Sequence, residues 1–287
     1  MKKVLIVAYH FPPSNAVGAL RPAKFAEHLP DSGWEPIVLA APEKAPAGGE
    51  RGRAWQFQGS GSTAVRRVKA WPGLRELARG VGRLRRPGRS SVAPAAPGPA
   101  AEAAWRATYE QDARRRPGRD LLYSLMWLPD DRHGWIPPAV LRGLELIRGE
   151  RPDALLVTSP PHSAQVVGLL LTKLSGVPLV VDFRDPWVGN PATPAFIRSG
   201  PTPRIHDFLE SQVLAAAAAV VTATRSHADM LAADRPEARG KLHVIPNGFD
   251  VSVFEGLSTG GETSARFVIT YAGNLYHTRT PRPLFEA

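Results

Sequence analysis

Short apolar runs alternate with segments of helical periodicity along most of this chain, and this alternation constrains the fold more than any other feature. Runs such as 3–8 and 154–158 are apolar throughout, as in strands that are buried on both faces of a parallel sheet. Strands that alternate with helices pack most readily as a sheet covered by helices on both sides. The sequence therefore predicts an α/β fold with a doubly wound, Rossmann-like parallel sheet.

The pattern also divides the chain. Predicted strands cover 3–9, 36–41, 154–158, 178–183, 219–222 and 241–245, and predicted helices cover 19–29, 138–148, 163–174, 205–217 and 227–233. Residues 42–117 are rich in Gly, Pro, Ala, Ser and Arg, which predicts a basic, partly flexible insertion without a firm strand. We expect a first domain over 1–257, a linker at 258–264, and the truncated start of a second Rossmann-like domain at 265–287, with a strand at 267–271 and a helix beginning at 283.

Cysteine usage and apolar run length limit the possible settings. The chain has 287 residues and no cysteine, which excludes disulfides, a Cys-ligated zinc site and a thiol nucleophile. The N-terminal apolar run stops at His10 without a cleavage-like site. The most apolar later stretch, 213–221, is far shorter than the roughly 20 residues that a membrane span needs. We expect a cytoplasmic protein or one that is peripheral at the inner face of a membrane.

The net charge of +10 is concentrated in one segment. Residues 66–119 contain fourteen Arg or Lys and four acidic residues, so the rest of the chain is close to neutral. Within 71–86 apolar residues recur every three or four positions with arginines between them, a pattern typical of a basic amphipathic helix on an anionic membrane. The alternative is an Arg-rich solvated loop, and the sequence leaves both open.

Five short motifs stand at the ends of predicted strands, where ligands bind in doubly wound sheets. They are HFPP with GALR at 10–21, TSPPHS at 158–163, DFRDPW at 182–187, VIPNGFD at 244–250 and YAGNL at 271–275. In this order they resemble retaining glycosyltransferases of family 4. The resemblance spans the ordered parts of the chain, and the insertion at 42–117 lies outside it.

The resemblance implies a GT-B fold, with this chain as the acceptor-side domain plus the first βα unit of the donor-binding domain. It implies transfer from a nucleotide-sugar donor to a glycan or lipid-linked acceptor in cell-envelope or exopolysaccharide synthesis. Retention of anomeric configuration and independence of metals and cofactors are also implied. Because most of the donor pocket belongs to the second domain, we expect the 287-residue chain to be inactive alone.

Phosphate-binding candidates come from the first and last motifs. Gly18 precedes a helix whose N-terminal amides attract anions, and Arg21 lies in the first turn of that helix. The resemblance places Asn247, Gly248 and Gly273 beside the donor diphosphate as well. The family has an Arg after the last of these glycines and a Lys further on; Asn274 stands in the first place here, and Arg279 or Arg282 in the second. A helix-start glycine, a surface arginine and an ordinary Asn-Gly turn are the structural alternatives.

Catalytic and cleft candidates come from the middle motifs. His162 lies in a proline-stiffened loop before a helix, where imidazole can hydrogen-bond a hydroxyl or a phosphate oxygen. Asp182, Arg184 and Asp185 follow an apolar strand, so their charges face the cleft or form an internal Asp–Arg pair. Many family members carry His-Asp where this chain has Arg184 and Asp185. We expect His162 and Asp185 to be catalytic, with His10, Asp182 and Arg184 lining the cleft.

Two other functions stay open from the sequence. A GT-B-type epimerase would act on the nucleotide sugar without an acceptor. A non-catalytic basic module would bind nucleic acid, but the basic segment holds only Trp71, Trp105 and Tyr109 as aromatics and no nucleic-acid-binding signature. The expected partners are therefore a nucleotide sugar, a glycan or lipid-linked acceptor and an anionic membrane surface, and not nucleic acid.

Overall fold

The computed structural model describes residues 1–14, 16–42, 63–72, 127–190, 193, 197, 201–249, 267–271 and 281–286. The chain divides into two compact units, residues 1–247 and residues 248–287. The predicted linker at 258–264 lies outside the described residues. So does most of the basic amphipathic segment.

The first unit is built on a seven-stranded sheet in which every pairing is parallel. Its strands are β1 (Lys2–Val7), β2 (Trp34–Ala40), β3 (Ala64–Arg67), β4 (Ala154–Ser159), β5 (Leu179–Phe183), β6 (Ala217–Thr222) and β7 (Leu242–Val244). They lie in the order β3-β2-β1-β4-β5-β6-β7. The predicted Rossmann-like parallel sheet is confirmed.

Helices connect these strands close to the predicted positions. They are α1 (Leu20–His28), α2 (Ile136–Glu150), α3 (Ser163–Ser175), α4 (Thr202–Ala216) and α5 (Arg225–Asp234). A 3-10 turn, Val17–Ala19, leads into α1. Gly176 ends α3 in the left-handed conformation at φ 74°, which satisfies the last carbonyls at no steric cost. None of the helices in the described ranges is both long enough and apolar enough to cross a bilayer.

Side chains of β1 alternate between two hydrophobic cores. Leu5 and Val7 join the core formed with α2, α3 and α4, whereas Val4 and Ile6 join the core formed with α1. This alternation follows from the two-residue period of a strand. Since helices cover both faces of the sheet, both sets of side chains are apolar, which explains the continuous apolar runs of the sequence.

The edge strand β3 corrects the prediction that no firm strand lies within 42–117. Val65 pairs in register with Val38 of β2. The chain after β3 is held by two further hydrogen bonds, from Trp135 Nε1 to the Val68 carbonyl at 3.1 Å and from the Trp71 amide to the Gly134 carbonyl at 2.8 Å. Four residues, two of them exposed arginines, are too short a pattern to indicate a strand in sequence.

The second unit departs from its prediction. Residues 267–271 are described without strand structure, and Phe267, Val268, Ile269 and Tyr271 are exposed. A strand forms only when a neighbour accepts its backbone hydrogen bonds, so the predicted strand at 267–271 is wrong. The helix predicted to begin at 283 is the short α6 (Arg282–Phe285). Gly273 and Arg279 lie outside the described residues.

Candidate functional site

Two of the loops that carry sequence motifs, those after β1 and β4, lie at the switch point of the sheet. From β1 the chain continues to β2 on one side, while β4 pairs with β1 on the other. The crevice at such a point, outside the carboxyl ends of the strands, is where doubly wound sheets bind ligands. The loops after β1 and β4 flank this crevice, with the loop after β5 next to them.

A buried ion pair between Arg21 and Asp182 lies beneath these loops. Arg21 Nη2 is 2.9 Å from Asp182 Oδ1, and Arg21 Nε donates to both carboxylate oxygens at 3.0 and 3.1 Å. The Asp182 side chain is fully buried, so its charge requires this partner. The internal Asp–Arg pair anticipated for this region is therefore formed with Arg21 of α1.

The remaining donors of Arg21 bind the loop after β7. Its Nη2 donates to the Ile245 carbonyl at 2.8 Å, and its Nη1 donates to the Pro246 carbonyl at 3.1 Å and to Asn247 Oδ1 at 3.3 Å. Asn247 is thus brought to the same edge as Asp182. Since Arg21 is engaged by protein acceptors, its predicted contact with a phosphate stays a prediction.

Polar side chains of β4 and α3 complete the support of Asp182. Thr158 Oγ1 donates to Asp182 Oδ2 at 2.8 Å. The fully buried Gln165 amide donates to the Ser159 hydroxyl at 3.1 Å and to the Asp182 carbonyl at 3.3 Å. These hydrogen bonds connect the ends of β4 and β5 and support the loops that follow the two strands.

Arg184 lies across the loop after β1. Its Nε donates to the Ser159 carbonyl at 3.0 Å, and its Nη2 donates to the Pro160 carbonyl. A Cβ atom added to Gly18 would lie 2.6 Å from Arg184 Nη1, closer than real atoms approach. Gly18 therefore permits the close approach of Arg184, whereas its predicted role toward a phosphate stays a prediction.

Arg184 and the N-terminus of α1 are the positive groups of this corner, whereas the charge of Arg21 is paired with that of Asp182. Burial lowers the pKa of Arg184, Asp182 and Asp185 oppose that effect, and the charge of Arg21 lowers the pKa further. The 3-10 turn and the first turn of α1, which carry Gly18, add the positive end of a helix dipole. Arg184 and the helix N-terminus would attract an anion at this corner, whereas the carboxylates of Asp182 and Asp185 would oppose its binding.

His162 is stacked on Trp187. The two ring centroids are 4.8 Å apart and the ring planes differ by 4°. Nδ1 of His162 is buried and has no hydrogen-bond partner within the described chain. Burial, and then the neighbouring His206, Arg184 and His227, lower the pKa of His162 to about 3. The imidazole is therefore neutral at physiological pH.

Two further histidines near His162 contact aromatic rings. Trp187 Nε1 donates to His206 Nδ1 at 2.7 Å. His227, at the start of α5, contacts the Phe183 ring edge to face at 6.3 Å between centroids. Burial lowers the pKa of both His206 and His227. Within the described residues no group of His, Asp or Glu side chains has the geometry to hold a metal ion.

Asp185 is exposed in the loop after β5. Its charge raises the pKa of both Arg184 and His227, which places it near these two groups. The structure thus brings Asp185 and His162 into the same cluster of loops. Their catalytic roles stay predictions.

Asp130 caps the helix that follows His162. Its carboxylate accepts hydrogen bonds from the Ser163 amide at 2.7 Å and from the Ser163 hydroxyl at 2.5 Å. Burial raises the pKa of Asp130, while the Ser163 bonds act in the opposite direction. Because this carboxylate occupies the first turn of α3, the loop that carries His162 is held in one orientation.

The other predicted residues are less closely engaged. His10 is half-buried and contacts Tyr9 edge to face at 5.0 Å between centroids. Gly248, in the second unit, is exposed, and an added Cβ there would meet nothing within 4 Å. Its φ is not positive, so the left-handed turn considered for Asn247-Gly248 is not formed at Gly248.

Sequence reasoning missed several residues that support the site, all of which except Thr158 lie outside the motifs. They are Thr158, Gln165, His206, His227, Glu210 and Asp130. The one available signal was on α4, where His206 and Glu210 are four residues apart and share a helix face. Both are buried, which is unusual for these residue types.

Comparisons with known proteins identify a family over part of the chain. The profile of the family described as "Glycosyl transferase 4-like domain" matches residues 92–248, which include β4 to β7 and the loops of His162 and Asp185. The match begins inside the segment predicted to lie outside the resemblance, and it omits the motifs at 10–21 and 271–275. No curated protein matches the chain.

One solved structure from S. aureus, titled "MnaA-UDP co-structure", is similar over 89% of this chain at 11% identity, with a TM-score of 0.38. This chain spans about half of that structure, 51% of its length.

A seven-stranded parallel sheet with helices on both faces defines an α/β domain of the Rossmann-like class. Within that class, because the family profile covers more than half of its length, the chain belongs to the glycosyl transferase 4-like domain family.

Proposed function

We propose that this chain forms the acceptor-side part of a glycosyltransferase that moves a sugar from a nucleotide-sugar donor to a glycan or lipid-linked acceptor. The pathway we propose is the synthesis of a cell-envelope glycan or an exopolysaccharide. Family membership supports the transferase class. The single observation that carries the proposal is the corner formed by the Arg184 guanidinium packed against Gly18 at the start of α1.

The chemistry of a nucleotide sugar requires such a corner. When the bond from the sugar to the diphosphate breaks, negative charge develops on the leaving diphosphate oxygen. Positive groups that are already in place stabilise this charge without reorganisation. Arg184 is held by the Ser159 and Pro160 carbonyls, and it lies against Gly18, directly before the N-terminus of α1. This arrangement supports transfer in which side chains and amides hold the diphosphate.

His162 contributes a neutral hydrogen-bonding group in this proposal. An imidazole with a pKa of about 3 is a weak proton acceptor at neutral pH, so it is better suited to orient a hydroxyl than to remove its proton. Asp185 supplies a carboxylate from the neighbouring loop. We expect both groups to contact one bound ligand, since the loops after β4 and β5 converge at the switch point.

Other parts of the proposal rest on the family resemblance. Asn247, Gly248, Gly273 and Arg279 are proposed to contact the donor, and His10 is proposed to line the cleft. Retention of configuration and independence of metal ions are proposed as well. Both properties can be measured directly, from the anomeric coupling constant of the product and from activity in the presence of a chelator.

The test uses the intact enzyme with a panel of nucleotide sugars and glycan or lipid-linked acceptors. We expect nucleoside diphosphate release that depends on the acceptor. His162→Ala and Asp185→Asn should each lower kcat/KM by about tenfold, or about 1.4 kcal/mol of transition-state stabilisation. Because both act on one ligand, the double variant should depart from additivity.

His243→Ala is the matched control, because His243 is an exposed histidine on β7. It should leave kcat/KM unchanged. Conversion of the nucleotide sugar without any acceptor would instead indicate an epimerase. Folded His162 and Asp185 variants with normal kinetics would refute the assignment of these two residues.

A further inference from the structure

Trp187 links His162 to a residue outside every sequence motif. One face of the buried indole lies flat against the His162 ring, with centroids 4.8 Å apart. The indole Nε1 donates to His206 Nδ1 at 2.7 Å, and these two rings are nearly perpendicular at 84°. A chain of contacts thus runs from His206 on α4 through Trp187 to His162.

The hydrogen bond fixes the protonation state of His206. An indole N–H can only donate, so His206 Nδ1 must carry a lone pair and its proton must be on Nε2. A doubly protonated His206 would place two N–H groups against each other at 2.7 Å. Nε2 is buried without a hydrogen-bond partner in the described part of the chain. The bond to Trp187 is therefore the polar contact that orients this ring.

Glu210 holds the same loop at a second point. It lies one turn after His206 on α4, and its Oε1 accepts a hydrogen bond from the Val188 amide at 3.1 Å. Arg235 donates to the Glu210 Oε2 atom at 3.0 and 3.3 Å and thus keeps the carboxylate in place. Glu210 fixes the backbone beside Trp187, whereas His206 fixes the rotation of the indole.

We infer that His206 is a positioning residue that acts through Trp187 to hold the His162 ring in the orientation that the reaction uses. This inference rests on the proposed function for the role of His162, but the chain of contacts does not. An indole that is free to rotate would lose its parallel stacking on His162. The imidazole would then sample several orientations, and a correctly oriented hydroxyl contact would be formed less often.

The experiment compares three variants. His206→Asn keeps an acceptor oxygen near the position of Nδ1, His206→Leu fills the space without an acceptor, and Trp187→Phe keeps an aromatic ring without the N–H donor. The first readout is NMR of the carbon-bound protons of His162, which are shifted upfield by the stacked indole. The second readout is kcat and KM of the intact enzyme with saturating and limiting acceptor.

We expect His206→Leu to move the His162 resonances downfield and to lower kcat about fivefold to tenfold, with a smaller change in KM, as for the loss of one hydrogen bond. His206→Asn should restore most of both signals. In a Trp187→Phe background, His206→Leu should have little additional effect on kcat, because the bond is already absent. If His206→Leu does not fold, Trp187→Phe by itself removes the same hydrogen bond and takes its place in the test.

Glu210→Gln is the matched control, because it keeps an acceptor for the Val188 amide and does not touch the Trp187–His206 bond. It should leave the His162 resonances in place. Unchanged His162 resonances in His206→Leu would overturn the inference whatever the activity. Shifted resonances together with the expected loss of activity in the His162→Ala control support the inference. Shifted resonances with a fully active His162→Ala variant would refute the proposed function of His162 and leave only the structural coupling.

Discussion

Arg21 and Asp182, 161 positions apart in sequence, form a bidentate ion pair in which the arginine side chain is 9% exposed and the aspartate is fully buried. The pair joins α1 to the end of β5. Through the Ile245 and Pro246 carbonyls, the same guanidinium also holds the loop after β7. The Arg21 side chain therefore connects the start of α1, the end of β5 and the loop after β7.

Removing Arg21 should destabilise the domain strongly. Arg21→Met leaves the Asp182 carboxylate buried with Thr158 as its remaining side-chain donor. Truncating one partner of a buried ion pair typically costs about 3–5 kcal/mol. Urea unfolding should show this loss. Arg142→Met is the matched control, since its pair with Glu145 is exposed and should contribute at most about 1 kcal/mol. Equal effects of both substitutions would contradict the structural role of Arg21.

Gly18→Ala should impair the reaction more than the fold. The new Cβ would lie 2.6 Å from Arg184 Nη1, at the end of a flexible side chain that can move aside. Gly240→Ala is the control, because a Cβ there meets nothing within 4 Å. We expect the free energy of unfolding of both variants to lie within about 1 kcal/mol of that of the parent protein. Only Gly18→Ala should lower kcat/KM, by about tenfold.

A double-mutant cycle of Gly18 and Arg184 tests the cause of the lower kcat/KM expected for Gly18→Ala. If the kinetic cost of Gly18→Ala arises from displacement of Arg184, it should disappear when Arg184→Ala is already present. A full additional loss in the Arg184→Ala background would show that Gly18 acts through another contact, such as direct approach of a phosphate.

Sequence patterns were sufficient for the parallel sheet and for most of its strand ends, but not for the contacts that support the candidate site. The strand ends were predictable because apolar runs stop at polar motifs, as at Asp182. The Trp187–His206 bond was not predictable, because the two residues are 19 positions apart and lie in different elements. Asp130 and Ser163 are 33 positions apart. Such pairs are defined by tertiary packing, which leaves no periodic signal in the sequence.

Two mistaken predictions have related causes. β3 has two apolar residues followed by two arginines, and its parallel pairing with β2 decides its structure. The apolar run at 267–271 has a strong strand pattern, but its residues are exposed in the second unit and are not a strand. In both cases the presence or absence of a neighbouring strand outweighed local composition.

The basic segment should bind anionic membranes through its charges. Arg75, Arg79, Arg83, Arg85 and Arg86 lie outside the described residues, so the test replaces all five with Gln. A deletion from Val68 would remove the Val68 and Trp71 contacts with 134–135 and would perturb the sheet edge. With about 1 kcal/mol per basic residue near an anionic surface, co-sedimentation with phosphatidylserine vesicles should fall steeply.

Two conditions control this experiment. Vesicles of phosphatidylcholine alone should bind neither the parent protein nor the variant with five glutamines. A higher salt concentration should release the parent protein from phosphatidylserine vesicles, because salt screens the attraction between surface charges. Binding that is insensitive to both salt and the five substitutions would favour the solvated-loop interpretation of the segment.

The stability of the domain should fall below about pH 6.5 because of three histidines. Burial lowers the pKa values of His162, His206 and His227. The unfolded chain therefore binds protons that the folded chain excludes. For His162 this stabilisation is fully present above about pH 6.5 and is lost as the pH falls toward about 3, at about 1.4 kcal/mol per pH unit.

Urea unfolding at pH 7.5 and pH 5.5 should reveal this loss, and His162→Gln should make it smaller by about 1 kcal/mol, because one fewer group takes up a proton on unfolding. His28→Gln is the matched substitution at an exposed histidine. Asp130 and Glu210, whose pKa values are raised by burial, act in the opposite direction at lower pH. An unchanged difference between the two pH values in His162→Gln would show that the pKa of His162 is the same in the folded and the unfolded chain, which would contradict its lowering by burial.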